Sequence, residues 1–168
     1  NDLYMEGELN SGQKNVHGVR YKTRIKVLHE DGTLEQMGKN LKLQKATTAY
    51  ILISSSTNML DSTYEKTVDE LLANAQKTTY EELKNKHIEA YQKKFNRVEL
   101  NLAENDNSLP TKQRLIDFQQ NDDPALVALY FQYGRYLMIS GTRENSLPLN
   151  LQGLWANTIN TPWNGDYH

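Results

Sequence analysis

Cysteine is absent from all 168 residues, which excludes a disulfide framework, a thiol nucleophile and any cysteine-ligated zinc or iron–sulfur centre. The compartment stays open, because many secreted bacterial enzymes also lack cysteine. An excess of one charge is missing too. Against 21 acidic residues stand 19 basic ones, a net charge of −2, so there is no electrostatic footprint for nucleic acid. No apolar run approaches the ~20 residues that span a bilayer, and no membrane partner is expected. Asn1-Asp2-Leu3 offers neither an initiator Met nor a signal-peptide pattern. What remains is 38% hydrophobic and 24% charged with a mean hydropathy of −0.75, polar but well short of a disordered composition. The closing Trp163-Asn164-Gly165-Asp166-Tyr167-His168 is too rich for a tail, and the chain reads as a fragment of something larger.

The first third has the period of strands. Val19, Tyr21, Thr23, Ile25 and Val27 alternate with Arg20, Lys22, Arg24 and Lys26, which predicts one buried face and one basic, solvated face. Asp31-Gly32 predicts a hairpin turn, since glycine tolerates the positive φ that such turns require. Shorter strands are expected over 33–37, 41–43 and 49–54. The run Ala49-Tyr50-Ile51-Leu52-Ile53 is continuously apolar and should be buried on both faces. So few strands rarely close a sandwich, so partner strands are expected upstream.

After Ser54-Ser55-Ser56 the period becomes helical. One helix is predicted over 64–75, with Val68, Leu71, Leu72 and Ala75 on its apolar face. A second starts near Thr78-Thr79, where Thr78 with Glu81 or Thr79 with Glu82 forms a capping box, and carries Tyr80, Leu83, His87, Tyr91 and Phe95. Alternation over 97–102 predicts a short strand, and the polar stretch 103–110 a linker. Thr111 should cap a short helix, and Asp123-Pro124 should start a helix over 124–139 that is apolar on nearly all sides. The remainder, 142–168, is expected to be an irregular loop, too long to be kept without a task.

Most of the obvious chemistry has a plain structural account. Asp122-Asp123 sits where a helix cap belongs, and Glu81-Glu82 complements a helix dipole. Neither pair has the separation of two carboxylates flanking a scissile bond. The four histidines, His17, His29, His87 and His168, show no metal-ligand spacing. His17 and His29 read as solvated, and His87 as a core or interface residue. The loop is different. Trp155 and Trp163, the only tryptophans, lie amid Asn150, Gln152, Asn164, Asp166, Tyr167 and His168. Sugars are held by aromatic faces against their C–H patches and by amides and carboxylates around their hydroxyls. The alternative is that the two indoles merely pin a long loop onto helices.

Leu147-Pro148 through Gln152-Gly153-Leu154-Trp155, then Pro162-Trp163 and Asp166-Tyr167-His168, resemble the sequence that opens the catalytic domain of glycoside hydrolase family 95, the inverting α-L-fucosidases. Phe131-Gln132-Tyr133-Gly134-Arg135-Tyr136-Leu137, Asp123-Pro124-Ala125-Leu126, Leu109-Pro110-Thr111 with Arg114-Leu115, and Gly18-Val19-Arg20-Tyr21 are similar to family segments in the same order. The resemblance implies an α+β chain: strands of a partial β-sandwich, linker helices, and the first helices of an (α/α)6 barrel. Its limits would be 1–57 for the end of the β domain, 58–108 for the linker and 109–168 for the start of the catalytic domain.

The resemblance further implies cleavage of a terminal α-1,2-linked L-fucosyl residue, or of an α-L-galactosyl one, from a fucosylated oligosaccharide, by an acid and a water-activating aspartate. His168 would open the family's His-x-Asn-x-Asn motif and touch the sugar. The substrate-binding residues of the chain would be His168, Trp163, Trp155, Asn150 and Gln152. The catalytic acid and base would lie downstream, so the fragment itself should be inactive. No cofactor or metal is implied. A secreted or periplasmic bacterial setting is expected, and self-association through the unpartnered strands and helix. Two readings compete. One is a non-catalytic carbohydrate-binding module using Trp155 and Trp163; the other is a structural helical linker with no sugar contact.

Overall fold

The computed structural model describes residues 2–103 and 108–167. The chain is α+β, with antiparallel strands first and helices after. Strands β1 (Asp2–Glu8), β2 (Arg20–Glu30), β3 (Thr33–Met37), β4 (Asn40–Gln44) and β5 (Thr48–Thr57) precede helices α1 (Tyr64–Gln76), α2 (Tyr80–Phe95), α3 (Thr111–Asp117) and α4 (Pro124–Gly141). Two compact units divide the chain, Asn1–Asn85 and Lys86–His168.

In the first unit β1, β2 and β5 form one sheet with β2 central, and β3 pairs with β4. Glu30 pairs with Thr48 and Thr33 with Gln44, so β2–β3 and β4–β5 run as two arms of one long ribbon. The expected hairpin at Asp31-Gly32 is therefore a break in that ribbon, and the reversal comes between Met37 and Asn40. The physical reason lies on both arms. Asp31 and Gly32 have φ of 50° and 71°, but Lys45 opposite them has φ 56°, so both arms kink together instead of one arm turning back. Thr47 locks the break, its N–H and hydroxyl donating to the Asp31 carboxylate at 2.7 and 2.6 Å. These bonds hold the Asp31 carboxyl below the usual range, the Thr47 hydroxyl contributing most.

The faces of the sheet reverse the sequence expectation. Directly paired residues point to the same side, so Leu3, Ile25 and Ile53 share one face, and Tyr4, Arg24 and Ser54 the other. Helix α1 covers the second, basic face. Its Asp69 accepts from Arg24 at 2.9 Å and from Lys22 at 3.1 Å, and these cations, Arg24 first, hold the Asp69 carboxyl low. Tyr64, Val68 and Leu72 of α1 are buried, and so is Ser54 of β5. The apolar face stays open, and Ile51 and Ile53 are 65% and 66% exposed instead of buried on both sides. The ion pairs of Asp69 and the buried Val68 and Leu72 together seat α1 on the face that the pattern marks as solvated. Strand β5 also continues through the three serines, and β1 supplies a partner strand within this chain.

Helix starts follow their caps. Asp61 accepts from the Thr63 N–H and hydroxyl, both at 2.8 Å, and from the Thr67 hydroxyl at 2.6 Å, which fixes the entry to α1 and lowers its own pKa. For α2 the capping box is Thr79 with Glu82, the N–H of Thr79 donating to Glu82 Oε2 at 3.0 Å and the N–H of Glu82 to Thr79 Oγ1 at 3.3 Å. Tyr80, in the first turn of α2, stacks on Tyr50 of β5 with centroids 5.3 Å apart.

In the second unit the expected strand over 97–102 does not form among the described residues. No partner strand approaches it among the described residues, and Arg135 of α4 takes its Val98 carbonyl. That guanidinium donates to Val98 O and Phe95 O, both at 2.7 Å, and lies over the Phe95 ring at 4.8 Å. Thr111 is the first residue of α3 and not its cap; Pro110 occupies that position. Asp123 does cap α4, its Oδ1 accepting from the Leu126 N–H at 2.9 Å. The same carboxylate receives Nε and Nη2 of buried Arg114, both at 2.8 Å, which pins α3 to α4. Of the apolar residues of α4 only Leu126 is fully buried, and Tyr130 and Met138 face outward.

Candidate functional site

The loop after α4 is built as two short turns tied to each other. In the first, the Gly153 N–H donates to Asn150 O at 3.0 Å and the Trp155 N–H to Gln152 O at 3.2 Å. The second is a 3-10 turn, Pro162–Gly165, closed by the Asp166 N–H donating to Trp163 O at 3.0 Å. Two bonds join them. The Leu151 N–H donates to Asp166 O at 3.1 Å, and Gln152 Nε2 donates to Pro162 O at 2.9 Å. Leu149 packs against Gly141 at the end of α4, which seats the first turn on the helix.

Four of the five residues expected to face a sugar, Asn150, Gln152, Trp155 and Trp163, therefore lie on this double turn; His168 lies outside the described residues. Their settings differ. Trp155, 51% exposed, leans on Tyr136 of α4 with centroids 6.4 Å apart. That contact ends a run of rings, Tyr91 to Tyr136 at 6.3 Å and Tyr133 to Tyr136 at 6.0 Å. Trp163 is 70% exposed and, among the described residues, no other ring packs on it. Its backbone is left-handed, φ 50°, which is costly for a bulky side chain and persists only where its surroundings impose it. Asn150 Oδ1 and Gln152 Oε1 are buried and accept no hydrogen bond among the described residues.

The histidines follow the sequence reading only in part. His17 is solvated beside Glu8, with Nδ1 2.9 Å from Oε1. His29, expected to be solvated, is half-buried with Nδ1 against Asp31 O, and His87, expected in a core or interface, is exposed beside Tyr91. Among the described residues no group of three His, Asp or Glu could hold a metal ion. What the loop offers is an exposed indole face on a turn that the Gln152 amide holds. Sequence reasoning missed Tyr136 and Gly165 as supports of this arrangement. The Asn164-Gly165 pair was a legible turn signal; Tyr136 stood out only as part of a family-like helix segment, with nothing linking it to the loop.

The family model of the glycosyl hydrolase family 95 catalytic domain matches residues 79–168, more than half of the chain and all of this loop. The chain belongs to glycosyl hydrolase family 95. It is 34% identical over 169 residues to alpha-L-fucosidase 2 of Arabidopsis thaliana, covering 90% of this chain and 20% of that protein. It is 45% identical over 97 residues to a probable alpha-fucosidase A of Aspergillus niger, covering 56% of this chain and 12% of that protein. A probable alpha-fucosidase A of Aspergillus oryzae is 38% identical over 106 residues, 60% of this chain and 15% of that protein. The chain thus spans a fifth or less of the length of these relatives.

Proposed function

We propose that this chain is the section of an inverting α-L-fucosidase that supplies a sugar-facing loop, acting on terminal α-1,2-linked L-fucose of a glycan. The observation that carries the reading is the family match over 79–168, which contains the whole double turn. Relatives named as fucosidases supply the sugar. In this reading Trp163 stacks on the sugar's apolar edge, Trp155 borders it and His168 serves its hydroxyls, while Asn150 and Gln152, whose amide oxygens are buried, back the turn that carries Trp163. The acid that protonates the leaving oxygen and the aspartate that activates water lie on chain beyond these residues.

The test compares two proteins with an aryl α-L-fucoside at pH 5–7. This chain alone should show no turnover, and a protein of the relatives' length that carries it should hydrolyse the fucoside. Turnover by the pure 168-residue chain would overturn the placement of the acid and base. In the longer protein, His168→Thr should lower the ratio of kcat/KM for fucoside over α-L-galactoside. An unchanged ratio removes His168 from the specificity site. The high exposure of Trp163 also suits a binding module without turnover, and that reading gains if the longer protein binds fucoside but never cleaves it.

A further inference from the structure

We infer that Gln152 and Gly165 are positioning residues that set the pose of Trp163, and through it the affinity for the sugar; this rests on the sugar-facing reading of the loop. The Pro162–Gly165 turn carries Trp163 and is held at both ends. Gln152 Nε2 grips Pro162 O at 2.9 Å on one side, and the Leu151 N–H grips Asp166 O at 3.1 Å on the other. Only the first grip comes from a side chain, so only Gln152 can be removed without altering the backbone. Its other amide atom is not idle space either. A Cβ on Gly165 would come within 3.5 Å of Gln152 Oε1, 3.2 Å of Asn150 Nδ2 and 3.5 Å of Thr161 Oγ1. Gly165 also has φ 66°, a conformation that a side chain strains. The amides of Asn150 and Gln152 lie over the glycine, where a side chain would crowd Asn150 Nδ2 by a few tenths of an ångström and would be strained by the positive φ. Trp163 takes up a left-handed backbone in this turn, yet its ring is 70% exposed and no other ring packs on it among the described residues. A left-handed, largely solvent-facing indole on a turn held by the Gln152 amide gains little packing from the loop in return. Holding the ring face ready for a ligand is what the clamp achieves.

Fluorine NMR of the 168-residue chain labelled with 5-fluorotryptophan tests this, with methyl α-L-fucoside as the probe ligand. Two lines are expected, assigned by Trp155→Phe and Trp163→Phe. In Gln152→Ala, and independently in Gly165→Ala, the Trp163 line should move toward the position of free fluorotryptophan while the Trp155 line and the melting temperature hold. The fucoside affinity should fall about three- to tenfold, the range that one neutral hydrogen bond covers. A Trp163 line that stays in place in both variants overturns the proposal. So does movement of both lines together with a lost melting transition, which would make the clamp merely structural. If the Trp163 line moves but affinity does not change, the positioning role fails. If the unsubstituted chain binds no fucoside, the sugar-facing reading fails, and the fluorine lines still decide whether the clamp holds Trp163.

Discussion

Replacing Leu72 by alanine probes the contact that seats α1 on the sheet. Leu72 is 2% exposed, whereas Leu71, its neighbour on the apolar side of the same helix, is 52% exposed. Sequence periodicity gives the two leucines equal standing; the structure does not. Leu→Ala removes three carbons, about 2.4 kcal/mol of transfer free energy at ~0.8 kcal/mol each. A residual cavity of about 50 Å3 would add about 1 kcal/mol. That addition is kept small by the surroundings, because a groove of about 240 Å3 lined by Leu52, Leu71, Leu72 and Ala75 already adjoins the site and allows partial collapse. Leu72→Ala should therefore cost about 2–4 kcal/mol, and Leu71→Ala about 1 kcal/mol or less. Urea unfolding followed by far-UV circular dichroism, at equal m-values, measures both. Equal costs for the two substitutions would refute the seating of α1 described above.

Asp123→Ala removes the cap of α4 and should cost about 1–2 kcal/mol from the cap alone, with Asp123→Asn recovering part of it in the same urea assay. The carboxyls of Asp31, Asp61 and Asp69 are all held below their unfolded values, so their stabilisation is present above about pH 4 and is lost as pH falls through the folded pKa values. The melting temperature should then be flat between pH 7 and 5 and drop below about pH 4; a fall already complete at pH 5 contradicts the assignment. The open sheet face with Ile51 and Ile53 should drive self-association, so light scattering of the wild type should give a mass that rises with concentration. Ile51→Thr with Ile53→Thr should bring that mass back toward 19.4 kDa, and a wild type that is already monodisperse refutes the idea.

Local signals were legible in the sequence, although the start of α2 offered two capping boxes and the structure selects Thr79 with Glu82. Asp123-Pro124 and Thr79 with Glu82 each satisfy backbone donors within three residues, so nothing distant could change them. The 3.6 period of α1 likewise reported Val68 and Leu72 correctly. Readings failed where a distant residue decided. Asp69 lies more than forty positions from Lys22 and Arg24, and its ion pairs join α1 to a face that looks solvated in the sequence. Lys45, also at positive φ, lies opposite the turn signal in a paired kink, and Arg135 claimed the Val98 carbonyl of a segment that alternates like a strand. The loop was legible as composition, two indoles among amides, and its family from the motifs. Its two-turn construction was not, because the bonds from Leu151 and Gln152 to the second turn join residues with no periodic relation.

The central claim is that Trp163 presents a face for an α-L-fucosyl ring. Saturation-transfer difference NMR of the 168-residue chain with methyl α-L-fucoside tests it most directly. The account predicts transfer to the C6 methyl and the adjacent ring protons, lost in Trp163→Ala and kept in Leu71→Ala. Absence of transfer in the wild type, or transfer of equal strength in Trp163→Ala, would contradict it.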